Sequence, residues 1–143
     1  MFLGEYEHSL DDKGRLTIPA KYRNRLANGL VVTKGIDRCL WLFPSEEFER
    51  LASKVTSLRI TDPDAREFQR ELFSGAADLQ ADNQGRIRLE PWLRTYAGID
   101  SQAMIVGLYN YVEIWAPSAW RERQERSYSD PQARAEQFAR LGI

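Results

Sequence analysis

The sequence predicts an α+β fold with a mainly β core: two copies of one unit, each made of short strands followed by two helices, paired about a pseudo-two-fold axis into one β-barrel with flanking helices. Three observations predict it. The segment Asp11-Asp12-Lys13-Gly14-Arg15-Leu16-Thr17-Ile18 returns 71 residues later as Asp82-Asn83-Gln84-Gly85-Arg86-Ile87-Arg88-Leu89, both reading Asp-x-x-Gly-Arg and then apolar-x-apolar. Strand-like segments return in the same order at a shift of 72: Val31 to Gly35 as Ala103 to Gly107, Leu40-x-Leu42-Phe43 as Val112-x-Ile114-Trp115, and Phe48 as Trp120. A helix-start signal, Asp62-Pro63-Asp64-Ala65-Arg66, returns as Asp130-Pro131-Gln132-Ala133-Arg134 at a shift of 68. Chance supplies one such pair; four in one order is a duplication.

Each element follows from its residues. The glycine at the fourth motif position permits a tight turn, because only glycine takes positive φ without steric cost. A short alternating strand follows, Arg15 to Ile18 and Arg86 to Leu89. Pro19 and Pro91 suit the first position of a short helix, with Tyr22 and Leu26 on one face of the first. Leu30 to Lys34 and Cys39 to Phe43 read as strands around the Gly35-Ile36-Asp37-Arg38 turn, and Ala103 to Gly107 and Tyr111 to Trp115 as their counterparts around Leu108-Tyr109-Asn110. Ser45 reads as an N-cap, with Glu46 and Glu47 favourable against the helix dipole. Phe48, Leu51, Ala52 and Val55 then fall on one apolar helix face. Ser118 and Trp120 open the equivalent helix, and the two Asp-Pro pairs each start a second helix, the last closed by Gly142. The expected organisation is unit one at residues 5–73, a connector at 74–78 and unit two at 79–143. A half of about 70 residues builds a thin core alone, so sharing strands across the axis also removes exposed edges.

Composition narrows the function. At 43% hydrophobic and 29% charged the chain can bury a core, and its longest apolar runs, Leu40 to Pro44 and Ala103 to Tyr109, fall far short of the roughly 18 residues of a membrane span. The N-terminus carries no positive region before an apolar stretch, so no secretion signal is read there and a cytosolic protein is expected. A single cysteine, Cys39, excludes an intrachain disulfide framework and a cysteine-built zinc site. A single histidine, His8, argues against a serine–histidine triad. No catalytic group, metal or cofactor is expected. Cys39 reads as a small buried hydrophobe, and Trp41, Trp92, Trp115 and Trp120 as core or interface aromatics.

Net charge is −1, which by itself gives no nucleic-acid footprint. The charge is nonetheless segregated. Residues 11–38 carry seven basic against three acidic groups, and residues 41–78 five basic against eight acidic. The Asp-x-x-Gly-Arg element admits two readings. Its turn can bring backbone close to a phosphate while the arginine forks to phosphate or to guanine O6 and N7, a contact worth about 1–3 kcal/mol of discrimination. Alternatively Asp11 and Asp82 bond the turn amides and pair with Arg15 and Arg86, purely holding the barrel.

The element Asp11 to Pro19, its echo at Asp82, and the flanks Phe2-Leu3-Gly4-Glu5-Tyr6, Arg38-Cys39-Leu40, Phe43-Pro44, Leu93-Arg94-x-Tyr96-Ala97-Gly98, Val106-Gly107 and Glu113-Ile114-Trp115 resemble the MraZ family. That family carries two copies of the swapped-hairpin domain shared with AbrB and SpoVT. The resemblance implies a bacterial transcriptional regulator of the division and cell-wall gene cluster. It implies binding to short direct repeats in the promoter of its own gene, and assembly of subunits into a ring. The implied partners are double-stranded DNA and further copies of the chain, with no membrane and no small-molecule substrate, in a cytoplasmic protein associated with the nucleoid. The family's DNA-contacting element falls on Lys13, Gly14 and Arg15 and on Gly85 and Arg86, with Arg88, Lys21 and Arg23 extending the basic surface and Asp11 and Asp82 structural. Gln84 stands where the first unit has Lys13, so the first loop is expected to contribute more binding. A ring lets each weak subunit add affinity through effective concentration. The competing reading is an antitoxin-like module that binds a toxin protein; the helical segment after Trp120, marked by Phe138 and Leu141, instead suits subunit packing.

Overall fold

The computed structural model describes residues 1–143. Unit one runs β1 (Glu5–Ser9), β2 (Arg15–Thr17), α1 (Ala20–Arg23) with a following 3₁₀ turn (Asn24–Leu26), β3 (Leu30–Lys34), β4 (Leu40–Pro44), α2 (Ser45–Thr56) and α3 (Pro63–Gln69), which ends in a π turn (Arg70–Ser74). Unit two runs β5 (Ala77–Leu79), β6 (Arg86–Arg88), α4 (Pro91–Ala97), β7 (Gln102–Gly107), β8 (Val112–Trp115), α5 (Pro117–Tyr128) and α6 (Pro131–Ala139). Ala77 and Asp78, inside the expected connector, therefore belong to β5.

The two units exchange strands. A six-stranded antiparallel sheet has the order β1-β7-β8-β4-β3-β5, so β1 of unit one pairs with β7 of unit two and β5 of unit two with β3 of unit one. The order is symmetric about the β4–β8 pair, where Trp41 faces Glu113. A separate ribbon, β2–β6, lies on the same axis, with Leu16 opposite Ile87 at its centre. The motif turns link sheet and ribbon: Asp11 N–H donates to Arg15 O (3.0 Å) and Asp82 N–H to Arg86 O (2.9 Å), carrying β1 into β2 and β5 towards β6.

One cluster of 20 buried residues fills the space between sheet and ribbon. Leu16, Ile18, Ile87 and Leu89 come from the ribbon side, and Leu30, Val32, Leu40, Leu42, Ala103, Ile105, Val112 and Ile114 from the sheet. Burial of each leucine, isoleucine or valine among them contributes about 1.5–3 kcal/mol. Alternation sends every second strand residue into this cluster, which is why Arg15, Thr17, Arg86 and Arg88 project from the ribbon's other face.

Two helix starts differ from the sequence expectation. Ser45 is the first helical residue rather than the cap, because its N–H donates to Gly29 O (3.1 Å) at the mouth of β3 and Pro44 takes the cap position. Pro19 likewise caps α1 from outside, whereas Pro91 occupies the first turn of α4. Asp62 and Asp130 cap as expected, accepting from Asp64 N–H (2.9 Å) and Ala133 N–H (3.1 Å).

The outer helices break the symmetry. In unit one, α3 folds back so that the buried Thr33 hydroxyl donates to Leu72 O (2.7 Å) and Phe73 packs on Phe48. In unit two, α6 buries no residue and leaves Phe138, Leu141 and Ile143 exposed. The cause is in α5: Arg123, Gln124 and Ser127 stand where α2 has Leu51, Ala52 and Val55, so the second helix has no apolar seat. The Arg134 guanidinium of α6 lies over Tyr128 of α5 (4.5 Å) and over Phe138 of its own helix (5.1 Å).

Candidate nucleic-acid interface

The two motif turns are built identically. Asp11 Oδ1 accepts from Lys13 N–H (3.0 Å) and Arg15 N–H (2.9 Å), and its Oδ2 from Arg15 Nε (2.6 Å). Asp82 Oδ1 accepts from Gln84 and Arg86 N–H (both 2.9 Å), and its Oδ2 from Arg86 Nε (2.8 Å). Those backbone N–H bonds, foremost from Arg15 and Arg86, hold both carboxyls below the usual aspartate range. Each aspartate thus fixes its turn and aims its arginine. Only Nε is engaged, leaving both Nη of Arg15 and Arg86 free of partners in the chain, on side chains about 30% exposed. The aspartates hold the turns, and both arginines keep unpartnered donors beside them.

The motif glycines are buried, and their backbone groups are already bonded: Gly14 N–H to Asp11 O and Gly14 O from Leu89 N–H, Gly85 N–H to Asp82 O and Gly85 O from Ile18 N–H, all within 2.8–3.0 Å. They offer no free amide to a phosphate. Their φ values of +73° and +75° explain the residue type, and so does their neighbour. A Cβ on Gly14 would stand 3.0 Å from Arg94 Cζ, and one on Gly85 2.5 Å from Arg23 Cζ. Each glycine turn is roofed by an arginine of the other unit.

The ribbon brings Arg15, Arg86 and Arg88 together. Arg15 faces Arg88 across the strands, and Thr17 faces Arg86. Arg88 is exposed with Glu90 3.8 Å away, and Ser9, Asp11 and Gln84 line the shallow groove beside Arg15 and Arg86. Lys13 and Lys21 are exposed on the first turn and on α1. Arg23 and Arg94 each donate from Nε to a carbonyl five residues back, Ile18 O and Leu89 O, both at 3.0 Å. Sequence reading placed Arg23 on a general basic surface and gave Arg94 no site role; the signal for Arg94 was its distance of 71 from Arg23, the spacing of the motifs themselves.

Elsewhere the candidate residues are structural. Cys39 is buried, and desolvation together with the nearby Glu113 carboxylate pushes its thiol pKa up, making it a poor nucleophile. Glu46 and Glu47 pair with Arg25, and Glu47 with Arg50. Trp115 and Trp120 are buried against each other, while Trp92 is half-exposed with its N–H on Gly75 O (3.3 Å). No helix is long and apolar enough to cross a membrane.

The family model described as "MraZ protein, putative antitoxin-like" matches residues 1–71 and again 72–140. A protein of Thermomicrobium roseum named transcriptional regulator MraZ is 48% identical over 141 residues, covering 99% of each chain. Its namesake in Syntrophomonas wolfei is 48% identical over all of both chains, and that of Roseiflexus castenholzii 53% over 85% of each. Two successive matches and relatives that span the whole chain at nearly half identity agree with the interlocked two-unit architecture: the chain belongs to the MraZ family.

Proposed function

We propose that this protein is a sequence-specific DNA-binding transcriptional regulator, acting on repeated elements in the promoter of its own division and cell-wall gene cluster. The observation that carries this reading is the outward face of the β2–β6 ribbon, with Arg15, Arg86 and Arg88 on a two-stranded surface. A B-DNA major groove admits such a ribbon, and arginine is the commonest specific partner of guanine. Aspartate-held guanidiniums enter the groove already oriented, which reduces the side-chain entropy lost on binding. Lys13 and Lys21 add charge at the ribbon's flank, and Gly14 and Gly85 shape the turns.

One subunit carries few free cations, so affinity comes from several subunits held together on repeated sites. The unseated α6, with Phe138, Leu141 and Ile143 exposed, supports packing of one copy on the next into a ring. Such a regulator works in the cytoplasm at the nucleoid. We read the chain as two units, 5–73 and 79–143, about a 74–78 joint whose last residues, Ala77 and Asp78, already begin β5 of the second unit.

The test is a footprint on the DNA immediately upstream of the protein's own gene, at two salt concentrations, with wild type and Arg15→Ala. Protection of regularly spaced elements, weakened about 5- to 150-fold by the substitution, is the expected result. A folded Arg15→Ala protein with unchanged affinity removes Arg15 from the site. Stoichiometric capture of a small toxin by a wild type that binds no DNA would favour the antitoxin reading.

A further inference from the structure

Five arginines surround the motif turns, and they differ in one respect: what neutralises them. Arg15 and Arg86 are paired with Asp11 and Asp82, and Arg88 lies against Glu90. Arg23 and Arg94 have no carboxylate within 4 Å; their Nε atoms sit on the neutral carbonyls of Ile18 and Leu89. Each is also anchored at Nε and laid over a glycine of the opposite unit. Both retain two Nη groups with no partner in the chain.

These two kinds of guanidinium suit two kinds of contact. A carboxylate-paired arginine keeps directional donors but little net charge, which fits the neutral edge of a base. A fixed arginine with a full uncompensated charge fits a phosphate, where Coulomb attraction and counterion release supply the affinity. Resting on the DNA-binding reading above, we infer that Arg23 and Arg94 are the backbone-phosphate anchors, while Arg15, Arg86 and Arg88 read bases. Symmetry fits the assignment. Arg23 and Arg94 flank the ribbon on opposite sides of the pseudo-two-fold axis, so they meet phosphates of opposite strands when the ribbon lies in a groove. Each anchor belongs to the turn of the other unit, so neither unit alone completes a site.

The assignment is tested with the full-length protein on two duplexes of equal length and composition: the DNA upstream of its own gene and the same bases scrambled. Dissociation constants are measured across a salt series for wild type, Arg94→Gln, Arg23→Gln and Arg15→Gln, with melting temperatures alongside. Arg94→Gln and Arg23→Gln are each expected to weaken both duplexes by the same factor and to reduce the log–log salt slope by about one per bound subunit. Arg15→Gln is expected to leave the slope unchanged and to narrow the preference for the natural sequence about 5- to 150-fold. Arg94→Lys retains the charge and should restore the slope, including where Arg94→Gln lowers the melting temperature. An unchanged slope in both glutamine variants, or a lost sequence preference in them, overturns the inference while leaving the DNA-binding function intact. A wild type that binds neither duplex overturns the function itself.

Discussion

The guanidinium of Arg23 fills the space in which a Cβ on Gly85 would stand, its Cζ 2.5 Å from that position; the equivalent distance from Arg94 to Gly14 is 3.0 Å. One turn is therefore roofed more tightly than the other. Gly85→Ala and Gly14→Ala share the cost of a non-glycine residue at positive φ, about 1–2 kcal/mol. Gly85→Ala adds displacement of Arg23 and should be the more destabilising in urea titration. Combining it with Arg23→Ala should recover the difference, because the double variant removes the clash and keeps only the backbone strain. Additive losses in that cycle would show that Arg23 moves aside freely.

Acid should loosen both turns together. The aspartates' pKa values are held below the ordinary 3.8 by turn N–H groups, so the folded state favours their charged form. Their stabilisation is complete above that value and is lost as pH falls through the lowered folded values. The melting temperature should drop below about pH 4. Asp11→Asn with Asp82→Asn should lower it at neutral pH and flatten that acid limb; an acid limb of unchanged steepness would assign it to other carboxylates.

Alkali should act on Tyr22. Its ring is buried between Phe2 and Tyr6, its hydroxyl donates to Leu3 O (2.5 Å), and burial raises its pKa from 10.0 to about 12. The unfolded chain ionises first, so the Tyr22 contribution to stability is complete below pH 10 and is lost between 10 and 12. Tyr22→Phe should cost about 1 kcal/mol at neutral pH and remove part of that alkaline fall. The check is chemical denaturation at three pH values.

The exposed side of α6 should govern assembly rather than folding. Leu141→Glu with Ile143→Glu changes only strongly exposed side chains, so subunit stability should change by less than about 0.5 kcal/mol. Light scattering should show the assembly reduced to smaller species. An unchanged mass would place the subunit interface elsewhere on the molecule.

Much of this architecture was legible because it is local. The Asp-x-x-Gly-Arg spacing, the alternation of Arg15 to Ile18, and the Asp62 and Asp130 caps are short-range signals that the structure contains at those residues. Strand β1 was not legible: Glu5, Glu7 and Ser9 alternate with Tyr6 and His8, which gives no clear apolar face, and its place depends on β7 a hundred residues away. Strand β5 is three residues long, too short for periodicity. The site divided in the same manner. Arg15 and Arg86 declare themselves beside their glycines, whereas Arg94 acquires meaning only when the second unit lies across Gly14. Ser45 misled because capping preference is local, while the bond from its N–H to Gly29 is tertiary.

The exchange of β1 and β5 between units makes each half complete the other's sheet. Residues 1–74 lack the partner for their first strand and the lower half of the ribbon; residues 75–143 lack the same parts in reverse. Severed at the joint, the two peptides should remain unstructured apart and assemble only on mixing. Every protomer is then, in effect, an obligate heterodimer whose partners happen to be translated as one.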